Sequence, residues 1–274
     1  MTVTAVTGRV QTLSLFGGTL DLEVQVQGAG PPLVYLHPAA GLAWDRVLDQ
    51  LSQRYTVYAP VHPGTGADHA SIHRVQTWTE LLLCYEELLR TLGLDRPVLM
   101  GASYGGMMAA DLAAHFPDCC SKLVLLAPIG LWRDDAPIPL MKLVASMPEQ
   151  ITAQLFHDPG CTGARSLFTP GPDAELNIKT GAAFVWSLGC TGKFFWPIAD
   201  HGLERRLHRI TAPTLLIWGR QDVLVPARYA ELFAHGIRGA RCDVIDACGH
   251  MLQLEQPEQT IVYLDGFLAP AKNR

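Results

Sequence analysis

Twelve consecutive residues, Pro97-Val98-Leu99-Met100-Gly101-Ala102-Ser103-Tyr104-Gly105-Gly106-Met107-Met108, constrain the fold of this chain more than any other stretch. An apolar run ends in a serine with a glycine two residues to either side, and a helix-like run, Met107–His115, follows at once. Gly-x-Ser-x-Gly at 101, 103 and 105 fits a strand that turns sharply into a helix. The serine then sits in strained backbone geometry, and its small neighbours keep strand and helix from clashing. Such a turn lifts the hydroxyl out of the sheet and leaves the next N–H, that of Tyr104, pointing at whatever the serine attacks.

The rest of the chain supplies the context this motif requires. Arg9–Leu15 and Thr19–Gln27, joined by Gly17-Gly18, read as a hairpin at a sheet edge. Short apolar runs follow at Leu33–His37, Tyr55–Ala59, Val98–Met100, Lys122–Leu126, Leu215–Trp218 and Cys242–Ile245. Between them lie helical patterns at Trp44–Leu51, Thr77–Leu92, Arg228–Ala234 and Gln256–Phe267. In the second of these, Trp78, Leu81, Leu82, Tyr85, Leu88, Leu89 and Leu92 fall at three- and four-residue spacing, and Gly93 ends the helix. Alternating elements whose strands are nearly continuous in Leu, Val and Ile predict an α/β fold, a mostly parallel central sheet with helices on both faces.

One region breaks the rhythm. Between about Ile129 and Ile210 no strand pattern occurs. Proline-punctuated helical stretches (Leu140–Met147, Glu149–Phe156, Ala174–Leu188) and the aromatic cluster Phe194-Phe195-Trp196 predict a helical lid over 130–210, inserted into a core domain of 1–129 and 211–274.

Composition narrows the function. With 274 residues, 49% of them apolar, the chain can bury one large core. A net charge of −5 offers no basic field for a phosphate backbone, so no nucleic-acid partner is expected. No apolar run is long enough to span a bilayer, so no membrane partner is expected either. The first eighteen residues carry no apolar signal core, and seven cysteines without metal-type spacing read as reduced thiols. Both point to a cytoplasmic protein. Monomer and homodimer fit equally.

A serine hydroxyl is a weak nucleophile and needs a base, which in turn needs an orienting acid. Asp222 lies just past the run Leu215–Trp218, and His250 just past Cys242–Ile245. Sites in parallel sheets form at the carboxyl ends of strands, which places Ser103, Asp222 and His250 on one edge. Asp246, four residues before His250, competes for the acid's role, but its position favours a side chain facing a helix or solvent.

The segments Gly101–Gly106, Pro213–Pro226 and Cys248–Pro257 together resemble the α/β-hydrolase superfamily over nearly the whole chain. The similarity is to its capped branch, which includes meta-cleavage-product hydrolases, proline iminopeptidases and small esterases. The resemblance implies Ser103 as nucleophile, Asp222 as orienting acid and His250 as general base, then general acid. The family commonly has His-Gly after the third strand, followed by a residue that donates an N–H to the oxyanion. Here the run is His37-Pro38-Ala39, so Pro38 cannot donate, and the expected donors are Ala39 and Tyr104. The family's Asp-x-Pro-Gly-x-Gly loop is replaced by Val61-His62-Pro63-Gly64-Thr65-Gly66, which lacks the leading acid.

His37 is expected to brace the oxyanion loop, and it stands with Trp132, Trp186, Trp196 and Met251 among the candidate pocket residues. The apparent cluster His62, His69 and His73 lacks supporting carboxylates and reads as solvated loop histidines, with no metal site. No cofactor is needed. Lid cations Arg133, Lys142, Arg165, Lys179 and Lys193 read as a solvated face.

A serine rather than a carboxylate at the turn argues against epoxide opening and halide displacement. The expected reaction is hydrolysis of a small, largely apolar ester, lactone or thioester through an acyl-enzyme. Two alternatives stand beside it. Carbon–carbon bond hydrolases of the meta-cleavage type commonly carry Asn before the nucleophile and Trp after the catalytic histidine, where this chain has Ala102 and Met251. A non-hydrolytic cyclase or lyase on the same scaffold is compatible with Pro38 and an aromatic lid.

Overall fold

A computed structural model describes residues 8–139, 148–168, 173–196 and 200–269. Its centre is one eight-stranded sheet: β1 (Arg9–Leu15), β2 (Leu20–Gln27), β3 (Pro32–Leu36), β4 (Thr56–Pro60), β5 (Val98–Ala102), β6 (Lys122–Leu126), β7 (Thr214–Gly219) and β8 (Arg241–Ile245). The spatial order is β1-β2-β4-β3-β5-β6-β7-β8. β1 and β2 form the expected antiparallel hairpin at one edge, and β2 meets β4 antiparallel; from β4 to β8 every pairing is parallel.

The central strands are covered on both faces, and every residue of β5 and β7 is buried. That is why these strands read as unbroken apolar runs rather than alternating ones. Because β3 lies between β4 and β5, the chain reverses its direction of travel across the sheet there. The crevice beyond the carboxyl ends of β3 and β5 is thus a topological switch point, where ligand sites of open α/β sheets form.

Helices α1 (Arg46–Ser52), α2 (Trp78–Thr91) and α3 (Tyr104–His115) follow β3, β4 and β5. The start of α2 is chemically fixed: the Thr77 hydroxyl accepts the Glu80 N–H, and the Glu80 carboxylate accepts that of Thr77. Six of the seven apolar residues noted in its pattern, Trp78, Leu81, Leu82, Tyr85, Leu88 and Leu89, are buried, and Leu92 is partly so. Each fully buried large side chain is worth about 2 kcal/mol, so this face outweighs the helix's intrinsic propensity in holding it on the sheet.

Among the described residues no strand lies between Leu126 and Thr214. That stretch carries α4 (Pro148–Leu155), α5 (Thr162–Phe168), α6 (Ala174–Phe195) and a 3-10 turn at Leu203–Arg209. The helix expected over Leu140–Met147, and Lys142 with it, falls outside the described residues. α6 does not end at Leu188 as expected but continues to Phe195, absorbing Phe194 as well. The reason is spacing: Ser187, Leu188, Cys190, Thr191, Phe194 and Phe195 form one buried stripe at helical period. Helices α7 (Arg228–Gly236), α8 (Leu252–Glu255) and α9 (Pro257–Leu268) complete the chain. All seven cysteines are free.

Candidate active site

Ser103 stands between β5 and α3 at φ 52° and ψ −114°, a backbone conformation that costs free energy in any residue with a Cβ. Ladder and helix bonds hold it there: its N–H donates to Leu126 O at 2.9 Å, and its carbonyl accepts from Met107 N at 3.0 Å and Ile129 N at 3.2 Å. Gly105 explains the small-residue requirement. A Cβ there would be driven into the carbonyl oxygens of Leu36 and His37, so the first turn of α3 packs backbone to backbone on the end of β3.

The expected partners converge on this serine. His250 Nε2 lies 2.8 Å from Ser103 Oγ, and His250 Nδ1 lies 2.8 Å from Asp222 Oδ2. The other carboxylate oxygen, Asp222 Oδ1, accepts from Leu224 N at 2.9 Å and Val225 N at 2.8 Å. With both oxygens engaged in a buried place, the carboxylate holds His250 as the Nδ1–H tautomer, and Nε2 is left to accept the serine proton. Asp246 stands elsewhere: its exposed carboxylate pairs with Arg220. The loops bearing Asp222 and His250 meet where Gly219 abuts the carbonyls of Cys248 and Gly249, which leaves no room for a side chain.

The 130–210 stretch is stitched directly onto this edge. The carbonyl of Leu155, the last residue of α4, accepts from His250 N at 2.9 Å and Met251 N at 3.1 Å. Glu255 accepts the N–H groups of Gly249, His157 and Asp158, tying the histidine loop to the residues after α4. From α6, Trp186 Nε1 donates to Gly64 O at 2.8 Å, and the Thr191 hydroxyl lies 3.2 Å from Ala39 O, its one proton shared with the Ser187 carbonyl of its own helix at 2.8 Å. Sequence reasoning misses Thr191 and Glu255. Thr191 belongs to no motif, and Glu255 lies inside the Cys248–Pro257 segment with nothing to mark its part, because both act on backbone atoms that any sequence would provide.

Ala39 and Tyr104 lie on the two loops that Gly105 brings together. Among the described hydrogen bonds neither N–H has a protein acceptor, and that of Tyr104 is the first of α3, where no helical carbonyl precedes it. The Tyr104 ring is buried against His62, Trp78 and Phe195.

Other expectations need correction. His37 is fully buried with both ring nitrogens occupied, facing Pro38 O at 2.7 Å and His62 N at 3.0 Å; it supports the loop and forms no pocket wall. His62 is not solvated: it is 2% exposed, 3.8 Å ring to ring from His37, and hydrogen-bonded to the Tyr85 hydroxyl. Burial pushes the His37 ring down to about 4 and holds His62 well below its ordinary range, so both are neutral. His69 and His73 are exposed, and no group of three or more potential metal ligands occurs among the described residues.

Trp132 is half-buried with its indole N–H on Asp134, and Met251 is buried. Trp186 and Trp196 are each 43% exposed. Of the cations expected to form a solvated face, Arg133 pairs with Asp135 and Lys179 with Glu175 at the surface. Lys193 instead donates to the carbonyls of Ile72 and Val75, a structural tether rather than a solvated charge. No helix among the described residues is long and apolar enough to cross a membrane.

A family model described as the alpha/beta hydrolase fold matches residues 31–257. The chain belongs to the α/β-hydrolase family. It is 27% identical to a 2-hydroxy-6-oxo-2,4-heptadienoate hydrolase from Pseudomonas putida, over 97% of this chain and 99% of that protein. It is 25% identical to a proline iminopeptidase from Lactobacillus helveticus, over 87% of this chain and 90% of the relative. The solved structure of an esterase from Exiguobacterium antarcticum superposes with a TM-score of 0.77 at 20% identity, covering 95% of this chain and 99% of that one. This α/β hydrolase is therefore an enzyme of a hydrolytic family whose members divide over the bond they cleave.

Proposed function

We propose that this α/β hydrolase cleaves a small carboxylic ester, lactone or thioester through an acyl-enzyme on Ser103. One observation carries the reading: the unbroken chain Ser103 Oγ–His250–Asp222, with 2.8 Å at each link. In it Ser103 Oγ attacks the carbonyl carbon while its proton passes to His250 Nε2. The charge that develops on the carbonyl oxygen is met by the N–H groups of Ala39 and Tyr104. His250 then protonates the leaving alcohol or thiol as the C–O or C–S bond breaks. Water, deprotonated by His250, attacks the acyl carbon and releases the carboxylic acid and Ser103. Ala102 and Met251, the chain neighbours of Ser103 and His250, and Ile129, whose N–H donates to the Ser103 carbonyl, are apolar and buried, which favours an apolar acyl group.

The test is labelling by a fluorophosphonate probe and release of p-nitrophenol from acyl esters of graded length, in wild type and Ser103→Ala. Rapid labelling and turnover that both vanish in the variant are expected; an enzyme that labels but turns over no ester would defeat the ester reading.

A second reading has its own support in the end-to-end similarity to the P. putida hydrolase. The same triad would then act on a carbon–carbon bond next to a ketone. Turnover of 2-hydroxy-6-oxo-2,4-heptadienoate with a kcat/KM well above that for any p-nitrophenyl ester would move the assignment to this chemistry.

A further inference from the structure

The loop after β3 has an unusual problem to solve. An oxyanion donor must be aimed, and a trans peptide unit points its C=O and N–H in opposite directions. The N–H of Ala39 shares its peptide plane with the C=O of Pro38. Pro38 has a ring-locked φ and no N–H of its own, so the orientation of that plane depends on the Pro38 ψ and on whatever grips the Pro38 oxygen. Two groups grip it: His37 Nδ1 at 2.7 Å and Gly41 N at 3.2 Å.

For His37 to donate from Nδ1 its Nε2 must be bare, and Nε2 accepts the backbone N–H of His62 at 3.0 Å. His62 is itself fixed on both sides. Its Nε2–H donates to His37 O at 3.0 Å, and its Nδ1 accepts from the Tyr85 hydroxyl on α2. The tautomers follow from the partners, since a carbonyl can only accept and an N–H can only donate. The result is two short runs that both end on the β3 loop: Tyr85 O–H to His62 Nδ1 and His62 Nε2–H to His37 O, and beside it His62 N–H to His37 Nε2 and His37 Nδ1–H to Pro38 O. Both runs lie at the loop after β4, where the chain reads Val61-His62-Pro63-Gly64.

We propose that His62, anchored by Tyr85, is a positioning residue for the oxyanion hole, holding His37 so that the Pro38–Ala39 peptide presents its N–H to the reacting carbonyl. This rests on the acyl-enzyme reading. His62 touches no substrate; it acts through His37. Neutral rings are required, and burial away from water keeps them so. His62 thus grips His37 at two points, the carbonyl through its ring and the imidazole through its backbone N–H.

The test compares wild type with Tyr85→Phe, which deletes one hydroxyl from a buried ring, with His62→Phe, and with His62→Gln, whose amide can donate to His37 O and accept from Tyr85. With a p-nitrophenyl ester, kcat is expected to fall about tenfold in Tyr85→Phe and about a hundredfold in His62→Phe, with KM within about twofold, because the loss is of transition-state stabilisation. His62→Gln should recover much of it. Affinity for a trifluoromethyl ketone, whose hemiketal oxyanion needs the hole, should fall in parallel with kcat, while binding of the uncharged substrate amide stays put. A lowered Tm with unchanged kcat and unchanged ketone affinity in Tyr85→Phe would overturn the proposal and leave the pair a packing feature. A folded His62→Phe with wild-type kcat would do the same. A wild-type enzyme that neither labels nor turns over ester would instead overturn the acyl-enzyme reading on which the proposal stands.

Discussion

The two halves of the site are built differently. On the side fed by β5, β7 and β8, side chain bonds to side chain: Ser103 to His250 to Asp222. On the side fed by β3 and β4, side chains bond to backbone: His37 to Pro38 O, His62 to His37 O, Thr191 to Ala39 O. In the first half every contact is made by one particular side-chain atom. The second stores its chemistry in the orientation of a peptide, secured by several contacts. A change in the first half should therefore abolish activity and spare the fold, whereas a change in the second should erode activity and stability together.

The sharpest break comes from Ser103→Ala. Activity should drop by at least about a thousandfold with the Tm held or raised, since the hydroxyl sits in a strained turn that a methyl group also fits. A hydrolytic assay beside a thermal melt checks both. On the other half, acid should act through the fold. Unfolded histidines titrate near 6.5, whereas native His37 does so at about 4. Below about pH 6.5 the unfolded His37 binds a proton that the native ring refuses, so its contribution to stability falls with pH down to about 4, where His37 titrates in both states. His37 alone accounts for about 3 kcal/mol over that window, and His62, shifted the same way, adds to it. Asp45, pushed up to about 7 by burial, contributes in the opposite sense over the same window, so the check is a difference: urea midpoints of wild type should fall more steeply between about pH 7 and pH 5 than those of His37→Gln, and equal slopes would refute neutral burial of His37.

Gly105→Ala tests the joint between the halves. Its Cβ would meet the Leu36 and His37 carbonyls, and a loss of about 2 kcal/mol in denaturant unfolding is expected, despite the better helix propensity of alanine. Smaller still is Thr191→Val, which deletes the hydroxyl between α6 and Ala39 O. About 1 kcal/mol of stability should go, with kcat reduced severalfold and KM unchanged. Asp246→Asn closes the series. It removes only an exposed ion pair with Arg220, so stability should move by less than about 0.5 kcal/mol and activity not at all. A large loss of activity there would reopen the choice of catalytic acid.

The same division governs what the order of amino acids reveals. The strands β3 to β8, the amphipathic α2 and the Ser103 turn are legible because burial imposes a local pattern: unbroken apolar runs, a 3.6-residue stripe, glycines where backbone meets backbone. Asp222 and His250 can be placed because strand ends in a parallel sheet share an edge. The extent of α6 is not legible at Phe194 and Phe195, where an aromatic run resembles a break and is the continuation of the buried stripe. Nor is the state of His62. A histidine in a Pro-Gly loop is ordinarily solvated, and only the approach of Tyr85 from α2 and His37 from β3 makes its burial tolerable.

The sequence by itself determined the α/β order of elements, the glycine-flanked serine turn and the sheet edge where Ser103, His250 and an aspartate meet, since each follows from short-range periodicity or from the topology of a parallel sheet. Tertiary structure alone decided which aspartate reaches His250, that His37 and His62 are buried and neutral, and that Thr191 and Glu255 fasten the helical segment to the loops of the site. Those outcomes depend on hydrogen bonds to backbone atoms far apart in the chain, and every residue carries the same carbonyl and, proline apart, the same N–H.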